Sequence, residues 1–258
     1  MSAVPHLLSP ADLIVTVDDG VAVIALSRPA RLNALTRGMR RDLAALLRHY
    51  GEGGRARGVV VTGRERAFSA GMDLREAAGP ELDLLAEMEL FNDITRAALT
   101  TDVPVVAALN GLAVGGAGEM ALSFDARIAT ARASISWPET GAGLTVSNAA
   151  SLFLPRLAGA SRALHLIMNS ARLSASEARD LGLVDDIVEP EDLVPAAVRL
   201  IHRWTRPGSS TAAHLRLMRP SPRAVEAAMA REAAAVRQVQ ESGIARAGIA
   251  AVLAGRGR

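Results

Sequence analysis

The alternation of short β-rich runs with helical stretches constrains this chain more than any other feature. Leu13 to Val17 and Val21 to Leu26 are β-rich and flank Asp18-Asp19-Gly20, which reads as a hairpin. Pro29 ends the second run. Thr36 caps a helix reaching His49, with Met39, Leu43, Leu46 and Leu47 on its apolar face. Val59-Val60-Val61 is a buried strand closed by Gly63, and a loop follows over Ala67 to Leu74. The next helix runs from Glu81 to Leu99, where Asp102-Val103-Pro104 breaks the pattern. Val105 to Leu109 is a short apolar strand leading into Asn110-Gly111, and a helix begins in the glycines at 115, 116 and 118. Asp125 to Thr130 and Val184 to Val188 read as strands; Leu152 to Leu157, Arg162 to Met168 and Ser176 to Leu181 read as helices. From Leu193 the pattern is helical only. A sheet covered by helices follows, so the expected class is α/β, with a body over 1–192 and a helical region over 193–258.

Only 3% of the residues are aromatic although 50% are hydrophobic, so the core is built from Ala, Val, Leu and Ile. The chain has no Lys and no Cys, and all 29 cationic residues of the Lys/Arg class are Arg. Schiff-base chemistry and the Lys-dependent phosphate loop are therefore excluded. Thiol nucleophiles, disulfides and Cys-ligated zinc are excluded as well. The pI of 10.2 reflects the missing Lys rather than a basic surface, because the net charge is only +2. A core this large needs no staples, which fits a reducing, cytoplasmic setting. The opening MSAVPHLLSPADL lacks the basic and apolar parts of a signal peptide, and no apolar stretch reaches the roughly 20 residues of a membrane span.

Glycines at the start of a helix expose N–H groups at the positive end of its dipole. Gly111, Gly115, Gly116 and Gly118 do not follow the G-x-G-x-x-G order of a dinucleotide site. They suit either an oxyanion hole or close packing of helix on sheet, and the residues alone leave both open. Glu119 stands in the first turn of that helix, and Glu139 follows in Ser136-Trp137-Pro138-Glu139. Two carboxylates from different elements can share one water as acid and base; two unrelated surface acids fit the pattern equally. The histidines at 6, 49, 165, 202 and 214 show no metal-ligand spacing, and no metal is expected. Arg37, Arg40, Arg41 and Arg48 lie along the first helix and read as a solvated face.

Taken together, these segments resemble the crotonase superfamily, the enoyl-CoA hydratase/isomerase family. Ser27-Arg28-Pro29 with Leu32-Asn33-Ala34-Leu35 resembles its RP-x-x-LNAL. Ala67-Phe68-Ser69-Ala70-Gly71-Met72-Asp73-Leu74 resembles AF-x-AG-x-DL, and Val103 to Leu122 resembles the glycine-rich segment that ends in an acid. Phe124-Asp125-Ala126-Arg127-Ile128-Ala129, Pro138-Glu139 and the Leu173 to Val188 block continue the match in family order. The resemblance implies a spiral of repeated ββα units with a C-terminal helical trimerisation region. It implies an enoyl-CoA hydratase acting on an acyl-CoA thioester, with no cofactor beyond the coenzyme A of the substrate. Glu119 and Glu139 would be the catalytic pair, and the N–H groups of Ala70 and Gly116 the oxyanion hole. Ala30, Arg31, Leu32, Ala67, Gly71, Met72, Asp73 and Gly115 would bind substrate. A homotrimer or hexamer is implied, with neither membrane nor nucleic acid as partner. Without Lys, the phosphates of coenzyme A would fall to Arg28 and Arg31.

The chain departs from the family pattern at Val146 and Ser147-Asn148-Ala149-Ala150-Ser151, where a Pro and a glycine-rich turn are usual. That stretch borders the acyl pocket, and Trp137 would narrow the pocket further. Val252 and Gly255 replace a Phe and a Lys of the family's C-terminal segment. Other readings are an isomerase, thioester hydrolase or decarboxylase of the same superfamily, an RNA-binding branch using the arginine helix, and a non-catalytic acyl-CoA-binding paralogue.

Overall fold

A computed structural model describes residues 12–78 and 82–255. The expected helix start at Glu81, the N-terminal eleven residues and the last three lie outside the described residues. Strands β1 (Leu13–Asp18) and β2 (Val21–Leu26) form the expected antiparallel hairpin. Asp19 and Gly20 turn it with positive φ of 44° and 77°. β3 (Gly58–Gly63) pairs parallel to β2 and neighbours β5 (Val105–Leu109), then β7 (Ala126–Thr130) and β10 (Asp186–Val188), again all parallel. The sheet order is β1-β2-β3-β5-β7-β10.

A second sheet has the order β4-β6-β8-β9, built from Ala67–Ser69, Leu112–Val114, Ser134–Ser136 and Arg172–Ser174. These strands are three residues long, too short to show any period, so 67–74 reads as a loop in the sequence and the others carry no signal of their own. Partners in the sheet define them instead. Three turns, β3 to β4, β5 to β6 and β7 to β8, run from the first sheet to a short strand in the second and then into a helix. Buried asparagines make the corners. The Asn110 side chain donates to the carbonyls of Glu65 and Ala67, and that of Asn33 to those of Arg64 and Ala67. At Gly111 a Cβ would sit 2.0 Å from the Arg66 carbonyl oxygen, so the corner closes only on glycine.

The first sheet reads as continuous apolar runs because both faces are buried. Ala22, Ile24, Val59, Val61, Val105 and Ala107 face the main core. That core includes residues of α1 (Arg37–Gly51), α3 (Leu84–Thr100), α4 (Gly116–Ser123) and α5 (Ala150–Ala158). Val21, Val23, Val60, Val106 and Ile128 face the other way, onto Leu193, Ala197, Val198 and Ile201 of α8 (Leu193–Trp204). Between α1 and α3 lies α2 (Leu74–Ala77), and α6 (Ala160–Met168) and α7 (Ala175–Asp180) precede β10. The described segment 193–255 is continuous with the body in packing: α8 covers the sheet. After α9 (Thr211–Met218), α10 (Pro222–Glu241) sends Val225, Ala228 and Met229 into the main core. The last helix, α11 (Ile244–Leu253), packs Ala245 and Ile249 with Leu84, Met88 and Val236. No described helix is long and apolar enough to cross a membrane.

Three of the four arginines of α1 are paired with α3, and Arg41 is exposed. Arg40 is fully buried and paired with Glu87 of α3, Arg37 pairs with the same Glu87, and Arg48 pairs with Asp93. The solvated reading holds for Arg41 and in part for Arg37 and Arg48, which stay half-exposed while paired, and fails at Arg40, because α3 presents a carboxylate to it inside the core.

Candidate active site

The site grows from the start of α4. β6 ends at Val114, and Gly115 turns the chain with φ 56° and ψ −128°, a conformation L-residues rarely adopt. A Cβ on Gly115 would sit 2.6 Å from Glu139 Oε1, and one on Gly116 would enter the Phe91 ring. The two glycines thus let Glu139 and α3 close on the helix start. Of the two uses open for them, close packing is certainly one. Gly116 opens α4, so its N–H has no carbonyl one turn back; among the described residues it donates to nothing.

The β4–α2 loop meets this helix start, and Gly71 (φ 83°) would place a Cβ 2.5 Å from the Val114 carbonyl oxygen. Leu35 threads the loop: its N–H donates to the Gly71 carbonyl at 2.8 Å and its carbonyl accepts from Asp73 N–H at 3.1 Å. The Ala70 N–H donates to the Leu32 carbonyl at 2.9 Å, and the Gly71 N–H to Ser69 Oγ at 3.1 Å. Ala70 is therefore not the free donor expected of it, because the left-handed turn at Leu32 (φ 51°) presents a carbonyl to it. Between these bonded groups, the Met72 N–H has no acceptor among the described residues.

Both Met72 and Gly116 line a cavity of about 300 Å³, together with Ala70, Gly71, Gly115, Glu119 and Glu139. Its remaining wall is apolar, from Leu74, Leu84, Met88, Phe91, Leu144, Val236, Val239 and Val252. Glu119 is 1% exposed and Glu139 7% exposed. The Ser147 N–H and Oγ donate to Glu119 Oε2 at 3.0 and 2.6 Å, and Asn148 Nδ2 donates to it at 3.2 Å. Glu119 Oε1 and Glu139 Oε2 are buried with no hydrogen-bond partner among the described residues. Burial, and then the charge of Glu139, raises the Glu119 carboxyl well above its ordinary range. Burial pushes Glu139 up to about 7. Two such carboxyls on one cavity resist being ionised together, so near neutrality the pair holds a proton.

The remaining predicted residues lie off the cavity. Ala30 and Arg31 are exposed on a 3₁₀ turn, Pro29–Arg31. Ala67 is buried in β4 with its carbonyl taken by Asn33 and Asn110. Asp73 caps α2 and holds Arg28 at 2.8 Å. Arg28 also donates to the Ala34 carbonyl, so it braces the loop instead of standing free for a phosphate. Trp137 is fully buried beneath α4, where a Cβ on Gly118 would lie 3.4 Å from its Nε1, and does not narrow the cavity. The Ser147 to Ser151 departure is the seat of Glu119. Met72 is expected to bind substrate and Ser147-Asn148 to border the acyl pocket, but neither the free Met72 N–H nor the hold on Glu119 follows from the sequence. A free N–H has no sequence signature, and the two polar side chains meet Glu119 only through the fold. Among the described residues, no cluster of three or more His, Asp or Glu side chains is placed to hold a metal.

The family model described as enoyl-CoA hydratase/isomerase matches residues 16–253. A short-chain-enoyl-CoA hydratase of Clostridium acetobutylicum is 32% identical over 74% of this chain and 74% of its own. A 1,2-epoxyphenylacetyl-CoA isomerase of Escherichia coli is 34% identical over 74% of this chain and 75% of its own. A crystal structure of an enoyl-CoA hydratase/isomerase from Pseudoalteromonas atlantica superposes with a TM-score of 0.86 at 28% identity, covering 95% of this chain and 98% of that one. With the ββα spiral, the glycine-built helix start and the paired glutamates in place, these matches make the chain a member of the enoyl-CoA hydratase/isomerase family of the crotonase superfamily.

Proposed function

We propose that this protein is an enoyl-CoA hydratase. The reading rests on one observation: two buried carboxylates, each with an unpartnered oxygen, line a cavity that also receives two unengaged backbone N–H groups. The thioester carbonyl of a 2-enoyl-CoA would accept from the N–H groups of Met72 and Gly116. Charge builds on that oxygen as the enolate forms, and each such donor contributes on the order of 3 kcal/mol there. A water would sit between Glu119 Oε1 and Glu139 Oε2. Glu119, whose other oxygen takes three hydrogen bonds suited to a carboxylate, accepts a proton as the water oxygen bonds to Cβ. Glu139, with only its own backbone N–H as a donor, holds the proton delivered to Cα. The product is the 3-hydroxyacyl thioester, and the pair is left to exchange one proton to reset.

The chemistry needs no cofactor, since coenzyme A arrives with the substrate. The apolar wall suits a hydrocarbon acyl group, and exposed Arg31 remains a candidate for its phosphates. We also propose a homotrimer, or a hexamer built from two, because Leu164, Met168, Leu217 and Met218 stand 61–78% exposed. Glu139→Gln and Glu119→Gln are each expected to lower kcat for crotonyl-CoA hydration by about 100-fold or more while thioester binding persists. Full activity in either would remove that glutamate from the mechanism. The isomerase relative supports a second reading, double-bond migration through Glu139 alone. In that case Glu119→Gln would spare conversion of a 3-enoyl-CoA to its 2-enoyl isomer.

A further inference from the structure

A third carboxylate is buried behind the first two. Glu232 lies midway along α10 and is 4% exposed. A buried carboxylate needs partners, and these are backbone groups. The Ala149 N–H donates to Oε2 at 3.0 Å, and the Ser151 N–H to Oε1 at 2.8 Å. Both belong to the start of α5, whose N-cap residue, Ala149, has no side chain able to cap it. Glu232 therefore supplies from another helix the acceptors that Ser or Asp supplies locally.

The segment it holds is strained. Asn148 and Ala149 are consecutive left-handed residues, φ 59° and 56°, and neither is glycine. Immediately before them, Ser147 and Asn148 donate the three hydrogen bonds that fix Glu119 Oε2 and leave Oε1 bare. Asn148 is also held from α3, by Asn92 Oδ1 on its N–H and Thr95 Oγ1 on its side chain. Without Glu232, two helix N–H groups lose their acceptors and the α10 side of this turn is released.

We propose that Glu232 is a positioning residue for Glu119. By holding the N–H groups of Ala149 and Ser151, it keeps the strained turn closed on one oxygen of Glu119 and leaves the other facing the reacting water. The proposal rests on the reading that Glu119 acts in hydration. Glu119 faces Glu139 across the cavity and Glu232 behind the turn, while Arg231 flanks Glu232 on α10. Glu87 of α3 borders the same cavity but is paired with Arg37 and Arg40. Loss of the negative charge at 232 should therefore also move the acid limb of the kcat profile to lower pH.

The full-length Glu232→Gln variant keeps the side-chain shape and one acceptor. On folded protein, kcat for crotonyl-CoA hydration should fall about tenfold or more with KM within about twofold. Amide hydrogen exchange at Ser147 should accelerate about tenfold or more. In a Glu119→Gln background the same change should alter the residual rate by less than about twofold, since a residue acting through Glu119 has nothing left to position. An equal fold-loss in both backgrounds would show that Glu232 acts elsewhere and overturns the proposal, as does unchanged Ser147 exchange. If Glu119→Gln alone leaves hydration intact, the assignment of Glu119 fails, and Ser147 exchange still decides whether Glu232 holds its seat. Should Glu232→Gln not fold, Glu232→Asp, one methylene short, is expected to shift the exchange and the rate in the same direction.

Discussion

At the residue scale, burial gives Glu119 and Glu139 their chemistry and makes them costly. Below about pH 4.5 the Glu139 carboxyl is neutral in both folded and unfolded chains. As pH rises to about 7, the unfolded chain releases a proton that the folded state keeps, so stability falls across that window. Above it the deficit is complete. Glu139→Gln removes the titration. The variant should therefore be more stable than the parent at pH 8, by on the order of 2 kcal/mol, and equally stable at pH 4. Urea unfolding at the two pH values checks this, and equal stabilities at pH 8 would contradict it. Gain of stability on loss of activity is the usual sign of a residue kept for function. The carboxylate of Glu139 was visible as a candidate in the sequence. Its burial was not, because Gly115 and the Pro138-Glu139 turn come together only in the fold.

At the element scale, helix contacts carry both stability and the cavity wall. The Arg40–Glu87 pair joins α1 to α3, with the Arg40 guanidinium 4.8 Å from the Phe91 ring that backs Gly116. Removing Arg40 leaves the buried Glu87 with Arg37 as its one remaining cation and takes a donor from its other oxygen, so Arg40→Met should cost about 2 kcal/mol in urea unfolding. Adding Glu87→Gln to it should recover part of that loss. The end of the chain meets the site through α11. A Cβ on Gly248 would lie 1.8 Å from the Ala142 carbonyl oxygen, three residues beyond Glu139. Gly248→Val should push α11 from its seat, raise amide exchange across Ile244–Leu253 and lower kcat. An unchanged exchange pattern there would show that the contact is dispensable. Helical patterning marked α1, α3 and the region from Leu193 in the sequence, but not which faces meet. The arginines of α1 read as solvated because their partners lie some fifty positions away on α3.

At the scale of the whole molecule, the proposed trimer predicts a particle of about three times 26.9 kDa in light scattering at micromolar concentration. A 26.9 kDa particle would leave the exposed apolar residues of α6 and α9 without that explanation. The α/β class, the hairpin, the long strands and the two candidate glutamates followed from sequence alone. Local backbone preference and apolar patterning act over a few residues and survive in any context. Several features came only from tertiary structure. The short strands of the second sheet have no period of their own. The Ala70 N–H is taken by the carbonyl of Leu32, while among the described residues no acceptor reaches the Met72 N–H, which is why the proposed oxyanion donor moves to Met72. Arg28, read as a phosphate ligand, went to Asp73. Ser147 and Asn148 reach Glu119 from a segment distant in the chain, and Glu232 reaches the N–H groups of Ala149 and Ser151 beside them from another. In each case the deciding contact is long-range, and whether a polar group is engaged or free is a property of its neighbours in space.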